Sequence, residues 1–260
     1  MKKQLTEIEA KRAMRRKKIV KRRLIIISAV LLLLCAAVFA VLARIKLFPV
    51  KSINVRGGEL YTAEQIIEAS GIGDKTPILS VSQKKTEQSI IKKLPYIESV
   101  KIKRKFPDTV IITVTDAKEY FAFRTGGGYI LTNKNTRVLD ENPVTELPAG
   151  LIEVAADGVE FQIAENVGFK DDNQKELFET LSSYPAEKNI KLNSIDVTDT
   201  VHLKIRVEDR FDVNLGSREN LEKKIDHLAG MITGMDGKKG KINLELWSEN
   251  DKKAFFTGEN

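Results

Sequence analysis

The chain carries two histidines and one cysteine, so few metal or nucleophile chemistries are open to it. His202 falls in alternation with Leu203 and Ile205 of a strand pattern, and His227 lies beside Leu228 in a helical one. Neither has a cysteine, histidine or carboxylate at metal-ligand spacing, which makes both ordinary surface or half-buried residues. Cys35 sits inside an uninterrupted apolar run, where it cannot serve as a cysteine nucleophile. No Gly-x-Ser-x-Gly element is present, and Gly126-Gly127-Gly128 lacks the Lys-Ser/Thr that a phosphate-binding loop requires. Asp171 and Asp172 stand at a helix start, where capping and the helix dipole account for them. No catalytic residue, cofactor site, metal site or small-molecule substrate emerges, and the chain reads as a binder of proteins rather than an enzyme.

One charged cluster remains open. Lys101, Lys103, Arg104 and Lys105 surround a hairpin turn. They form either a solvated edge or a surface for anionic lipid headgroups or an acidic partner.

The net charge of +7 would suggest a nucleic-acid partner until the charge is located. Residues 1–23 hold eleven Lys/Arg and two Glu, a net of +9, whereas the remainder sets 32 basic against 34 acidic residues, a net of −2. The basicity belongs to the tail, so no nucleic acid is expected. Residues 24–43 carry no charge and only one polar side chain, Ser28. Twenty helical residues span roughly 30 Å, the thickness of bilayer hydrocarbon. Arg15, Arg16, Lys17, Lys18, Lys21, Arg22 and Arg23 flank this run on its N-terminal side and act as a topology signal that keeps the N-terminus cytoplasmic. A cleaved signal peptide is the rival, with Val41-Leu42-Ala43 as its site, but the apolar run and charged lead favour an anchor in length. Beyond the anchor there is no cysteine, so the remaining chain holds no disulfide and must bury a core.

The elements that follow divide into two groups. Residues 47–56 read as a strand, and Thr62-Ala-Glu-Gln65 as a capping box that opens a helix closed by Gly71. A second helix starts after Ser82 and stops at Pro95, and a hairpin turns through Lys105-Phe-Pro-Asp108. Farther on, Tyr120–Phe123 alternates, Tyr129–Leu131 returns, and Arg137-Val-Leu139 forms another short strand. A helix runs from Asp171 or Asp172 to Tyr184, with Pro185 after it. Strands follow at 192–199, 201–208 and 211–215, then an amphipathic helix from Ser217. Gly237 to Gly240 turn the chain into a last strand, Ile242–Leu246, which resumes at Ala254-Phe-Phe256. The fold class is α+β.

Phe48-Pro-Val-Lys-Ser-Ile-Asn-Val55, Thr62-Ala-Glu-Gln-Ile66, Leu94-Pro-Tyr-Ile-Glu-Ser-Val100 and Lys103-Arg-Lys-Phe-Pro-Asp-Thr109 resemble the bacterial cell-division family FtsQ/DivIB. Gly128–Thr132, Val213–Ser217 and Lys241–Leu244 match its second domain more loosely. The resemblance implies a basic cytoplasmic tail (1–23), a single transmembrane helix (24–43) and a POTRA domain of β-α-α-β-β order (47–117). A mixed, mainly antiparallel β domain with two helices (118–256) and a short end (257–260) complete it. It further implies a non-enzymatic division component in the cell membrane at the septum. Its partners would be FtsB/DivIC- and FtsL-type proteins and the septal peptidoglycan synthase complex. The partner would add to an edge strand of the β domain, which places Ile242, Leu244, Leu246, Trp247, Ser248 and Phe255 at the contact, with Arg210 beside it. Trp247 is equally readable as a core residue. By analogy, Lys51, Ile53 and Val55 form a recruitment edge on the POTRA domain.

Overall fold

The computed structural model describes residue 23, residues 25–41 and residues 48–259. Residues 25–41 are helical, and among the described residues no helix is long and apolar enough to cross a membrane. Leu24, Leu42 and Ala43 of the expected span lie outside the described residues, as do Arg15, Arg16, Lys17, Lys18, Lys21 and Arg22 of the topology signal. Contacts group the chain into two units. One draws on the stretch ending at Asn54, on Ile72–Gln83 and on Ile102–Ile112; the other draws on Val55–Gly71, Lys84–Lys101 and the chain from Thr113 onward.

The chain from Phe48 opens with β1 (Ser52–Arg56), α1 (Ala63–Ser70), a 3-10 turn (Ile78–Ser80), α2 (Gln83–Lys93), β2 (Ile97–Lys105) and β3 (Thr109–Asp116). The strands form a three-stranded sheet in the order β1-β3-β2. Local chemistry sets these bounds. The Thr62 hydroxyl accepts the Gln65 N–H at 3.3 Å, while the Gln65 side chain accepts the Thr62 N–H at 2.8 Å, so two orphan donors of α1 are satisfied. Gly71 ends the helix at φ 67°, a conformation that costs a residue with a Cβ. In the smaller unit Val50, Ile78, Val81, Val110 and Ile112 are buried. The N–H of Ile78 donates to the Phe48 carbonyl, and that of Val50 to the Thr76 carbonyl, which ties the first described residues to the 3-10 turn.

The larger unit continues through β4 (Phe121–Thr125), β5 (Gly128–Thr132), β6 (Ile152–Ala155), β7 (Val159–Glu160) and β8 (Gly168–Phe169). It goes on with α3 (Asp172–Glu187), β9 (Leu192–Asp196), β10 (Leu203–Val207), β11 (Phe211–Gly216), α4 (Leu221–Thr233), β12 (Gly240–Asn243) and β13 (Phe255–Gly258). Eight of these strands make one sheet in the order β13-β12-β11-β10-β9-β6-β4-β5, and β7 pairs with β8. The sheet is mixed, because β4–β6, β6–β9 and β11–β12 pair in parallel. Its core joins Phe121, Phe123, Ile195, Leu203, Phe211 and Ile242 to Leu177, Phe178 and Leu181 of α3 and Leu221, Ile225 and Leu228 of α4. The Phe178 ring lies 5.3 Å from that of Phe121 and 5.6 Å from that of Phe123, within aromatic contact. Lys188 at the end of α3 bonds Asp226 of α4 at 2.7 Å, and that hydrogen bond holds the Asp226 carboxyl below its ordinary range.

Several sequence expectations change here. Phe121, Ala122 and Phe123 are all buried rather than alternating. Arg137 and Val138 form only isolated bridges, not a strand. Pro185 lies inside α3, which runs on to Glu187. Its carbonyl still accepts the Lys188 and Ile190 N–H groups, so losing its own donor does not end the last turn. The second amphipathic helix starts at Leu221 instead of Ser217. The Lys224 ammonium is directed onto the Leu215 and Ser217 carbonyls, at 2.6 and 3.2 Å, and holds the preceding turn out of the helix. Burial pushes the Lys224 pKa down.

A polar knot joins β2 to the turn after β5. The buried Arg137 guanidinium donates to the Ile97 carbonyl at 2.7 Å and to the Glu98 carboxylate at 3.2 Å. Asn133 donates to the same carboxylate at 2.7 Å, and its own carbonyl oxygen accepts the Arg137 N–H at 2.8 Å. Removing the guanidinium leaves several polar groups short of partners. Arg137→Ala is therefore expected to cost about 2 kcal/mol, discounted because Glu98 is partly exposed. Arg137→Lys should recover only part, since an ammonium lacks the planar fork. Urea unfolding of the three proteins measures this, and a loss below about 0.5 kcal/mol for the alanine variant, the range of ordinary surface changes, would show that the knot is dispensable.

Candidate functional site

The two ends of the eight-stranded sheet differ. At the β5 end, Tyr129 exchanges two backbone hydrogen bonds with Val144, at 2.8 and 2.9 Å, and the Leu139 N–H donates to the Leu131 carbonyl at 3.0 Å. That edge is closed by the chain that follows it. At the other end, β13 pairs with β12 in antiparallel register, Gly240 opposite Gly258 and Asn243 opposite Phe255. Among the described residues no strand pairs with the outer side of β13. The Glu259 N–H donates inward to the Lys239 carbonyl at 3.0 Å. Because donors alternate sides along a strand, the Phe256 and Gly258 N–H groups point outward.

The expected terminal strand, Ile242–Leu246, is shorter and is not the edge. β12 ends at Asn243. The Leu244 N–H still donates to the Asn214 carbonyl at 2.8 Å, but the Asn243 side chain then accepts the Glu245 N–H at 2.9 Å and turns the chain away. The sequence-predicted contact residues consequently separate. Ile242, Leu244 and Trp247 are buried in the core. Leu246 and Phe255 are exposed, at 69% and 54%, and Ser248 is half-buried. The Trp247 ring packs 5.8 Å from that of His227, and its indole N–H is buried with no hydrogen-bond partner among the described residues. It borders a surface hollow of about 500 Å³ with Lys223, Asp226, His227, Glu249 and Lys252. Arg210 faces inward. Its guanidinium donates to the Met235 carbonyl at 3.0 Å and lies 4.9 Å from the Phe211 ring centre, clamping the turn that leads into β12.

On the three-stranded sheet, β1 is an edge, with Lys51 exposed beside it and Ile53 and Val55 half-buried. The open face of the large sheet carries Arg124, Glu153, Arg206 and Asp212, joined as ion pairs at 3.7 and 3.2 Å, as expected of a solvated surface. His202 stands exposed between Asp199 at 2.7 Å and Glu245 at 3.9 Å, and among the described residues no group of three or more ligating side chains could hold a metal.

Sequence reasoning places Phe256 on a resumed last strand and Gly240 in a turn, but misses what each one packs against. Phe256 packs its ring 6.1 Å from that of Phe211, which anchors β13 from inside. Gly240 adopts φ 150°, and a side chain there would run into the Thr257 carbonyl across the ladder. The glycine that read as a turn residue is a point where two backbones need close approach.

Residues 48–116 match the POTRA domain, FtsQ-type. The chain is also similar to the cell division protein DivIB of Clostridium acetobutylicum, 24% identical over 78% of this chain and 82% of that protein. The DivIB of Bacillus cytotoxicus is 29% identical over 80% of this chain and 78% of its own length. The cell division protein FtsQ of Corynebacterium glutamicum is 22% identical over 71% and 79%.

If the β12–β13 contact depends on a bare backbone at Gly240, then Gly240→Ala should cost about 1–3 kcal/mol. It should also speed exchange of the Glu259 amide. Gly230→Ala on α4 has open space around the new methyl and should be neutral or slightly stabilising. Hydrogen exchange on both variants checks this, and unchanged Glu259 protection in Gly240→Ala would contradict it.

Proposed function

With an FtsQ-type POTRA domain at residues 48–116 and similarity to DivIB and FtsQ over most of its length, we propose that this chain is a non-enzymatic, bitopic scaffold of the division machinery. In this reading residues 1–23 are a cytoplasmic tail, 24–43 cross the cell membrane, 47–117 form the POTRA domain and 118–256 the β domain. The folded part stands outside the cytoplasm at the septum. It binds FtsB/DivIC- and FtsL-type partners and so supports septal peptidoglycan synthesis. Recruitment uses the β1 edge near Lys51, Ile53 and Val55.

The observation that carries the reading is the asymmetry of the large sheet. One edge is closed by its own chain, while β13 presents outward donors that no strand among the described residues pairs with, flanked by the exposed Phe255. An unpaired edge is a template for another chain's backbone, with side-chain pockets supplying selectivity. Leu246 and Ser248 lie on the turn before β13 and offer apolar and polar rim contacts, whereas Ile242, Leu244 and Trp247 support the edge from within. Arg210 holds the turn that leads into β12 and is not itself a contact.

Gly258→Pro removes an outward donor while leaving the inward ladder intact. The full-length variant should bind the ectodomain of a DivIC/FtsB-type partner about tenfold more weakly, the cost of roughly one hydrogen bond and an unpaired partner carbonyl. Its circular dichroism and melting temperature should stay near those of the unaltered protein. Equal affinity in a titration of both proteins would move the interface away from β13.

A further inference from the structure

We propose that the tip of the β2–β3 hairpin is a docking surface for anionic lipid headgroups, a role that rests on reading residues 24–43 as a bilayer span. Three observations meet at this tip, all within the smaller unit.

The first is charge. From Phe48 on, that unit sets Lys51, Lys75, Lys103, Arg104 and Lys105 against Asp74 and Asp108, a net of +3, whereas the whole chain beyond residue 23 sums to −2. Lys103, Arg104 and Lys105 are all exposed on the last residues of β2. The Arg104 guanidinium reaches back to the Val81 carbonyl, and Lys51 lies 4.0 Å from Asp108. Lys51 is thus held at the hairpin turn, beside the three exposed cations that end β2.

The second is an apolar group that has no reason to face water. Phe106, at the turn itself, is 55% exposed, and Leu79 of the 3-10 turn is 39% exposed. Among the described residues the one ring that Phe106 touches is Phe48, edge to face with centroids 6.3 Å apart. An exposed aromatic among lysines and an arginine is the composition that settles at the boundary of headgroups and acyl chains.

The third is reach. Phe48, the contact of Phe106, lies five residues beyond Ala43, the last residue of the apolar run. Five residues span at most about 18 Å. Headgroups occupy roughly 5–8 Å outside the hydrocarbon, and their potential extends about a Debye length farther. The short tether keeps the hairpin tip close to the leaflet, and within that field whenever the five residues fall well short of full extension.

The test uses the full chain in vesicles of phosphatidylcholine alone or with about 30% phosphatidylglycerol, enough to give a negative surface potential. Phe106→Trp places a reporter at the tip, and lipids with a quencher near the headgroup read its depth. Emission of the natural Trp247 in the unaltered chain serves as background and as a check of folding. Quenching at the tip should at least double when the anionic lipid is present. It should fall back in about 0.5 M salt, which screens exposed charges, and in a Phe106→Trp chain that also carries Lys103→Glu and Lys105→Glu. Equal quenching in both lipids, or no effect of the two charge reversals, would overturn the proposal. Extraction at alkaline pH reports on the span separately. Release of the chain there removes the premise and the proposal together, whereas retention with lipid-independent quenching overturns the proposal alone.

Discussion

Every backbone donor in a sheet must find an acceptor or face water, and in this protein that requirement is met along seven consecutive strand pairings before it stops at β13. The rest of the larger unit is arranged around that ladder. Parallel pairings at β4–β6, β6–β9 and β11–β12 need crossovers. Two of the three carry a helix, α3 between β6 and β9 and α4 between β11 and β12. Those helices supply Leu177, Phe178, Leu181, Leu221, Ile225 and Leu228 to the core. The opposite face is left to ion pairs and water. A sheet built this way has one natural place to receive another backbone, which is the edge its own chain has not closed.

That edge is supported from within the sheet. Phe256 meets Phe211 across the sheet, Arg210 fixes the carbonyls of the turn before β12, and Gly240 lets β13 approach. Trp247 lies behind the edge against His227. Binding by strand addition gains most of its strength from backbone hydrogen bonds, so a rigid, correctly spaced edge matters as much as the side chains that border it.

Local chemistry made much of the fold readable from the sequence. The Thr62/Gln65 capping box, the Gly71 stop, the Phe106–Asp108 turn and the spacing of Leu221, Ile225 and Leu228 all act within a few residues, and the structure contains each. Long-range geometry was less legible. Ile242–Leu246 alternates like a strand, yet the Asn243 side chain diverts it at residue 245, a competition that no periodicity records. Trp247 could be a rim anchor or a core residue on composition alone, and burial decides for the core. Arg210 read as a neighbour of the partner contact, whereas the folded chain brings the Met235 carbonyl onto its guanidinium. Gly240 read as a turn because its need for close approach comes from Thr257, seventeen positions away.

Amide hydrogen exchange across the folded chain, free and with a saturating DivIC/FtsB-type ectodomain, tests the central claim most directly. The account predicts new protection at the outward amides of Phe256 and Gly258, with little change at Glu259, whose N–H is already bonded to Lys239. Protection confined to β1, or to the open face around Arg206 and Asp212, with Phe256 and Gly258 exchanging as in the free protein, would contradict it.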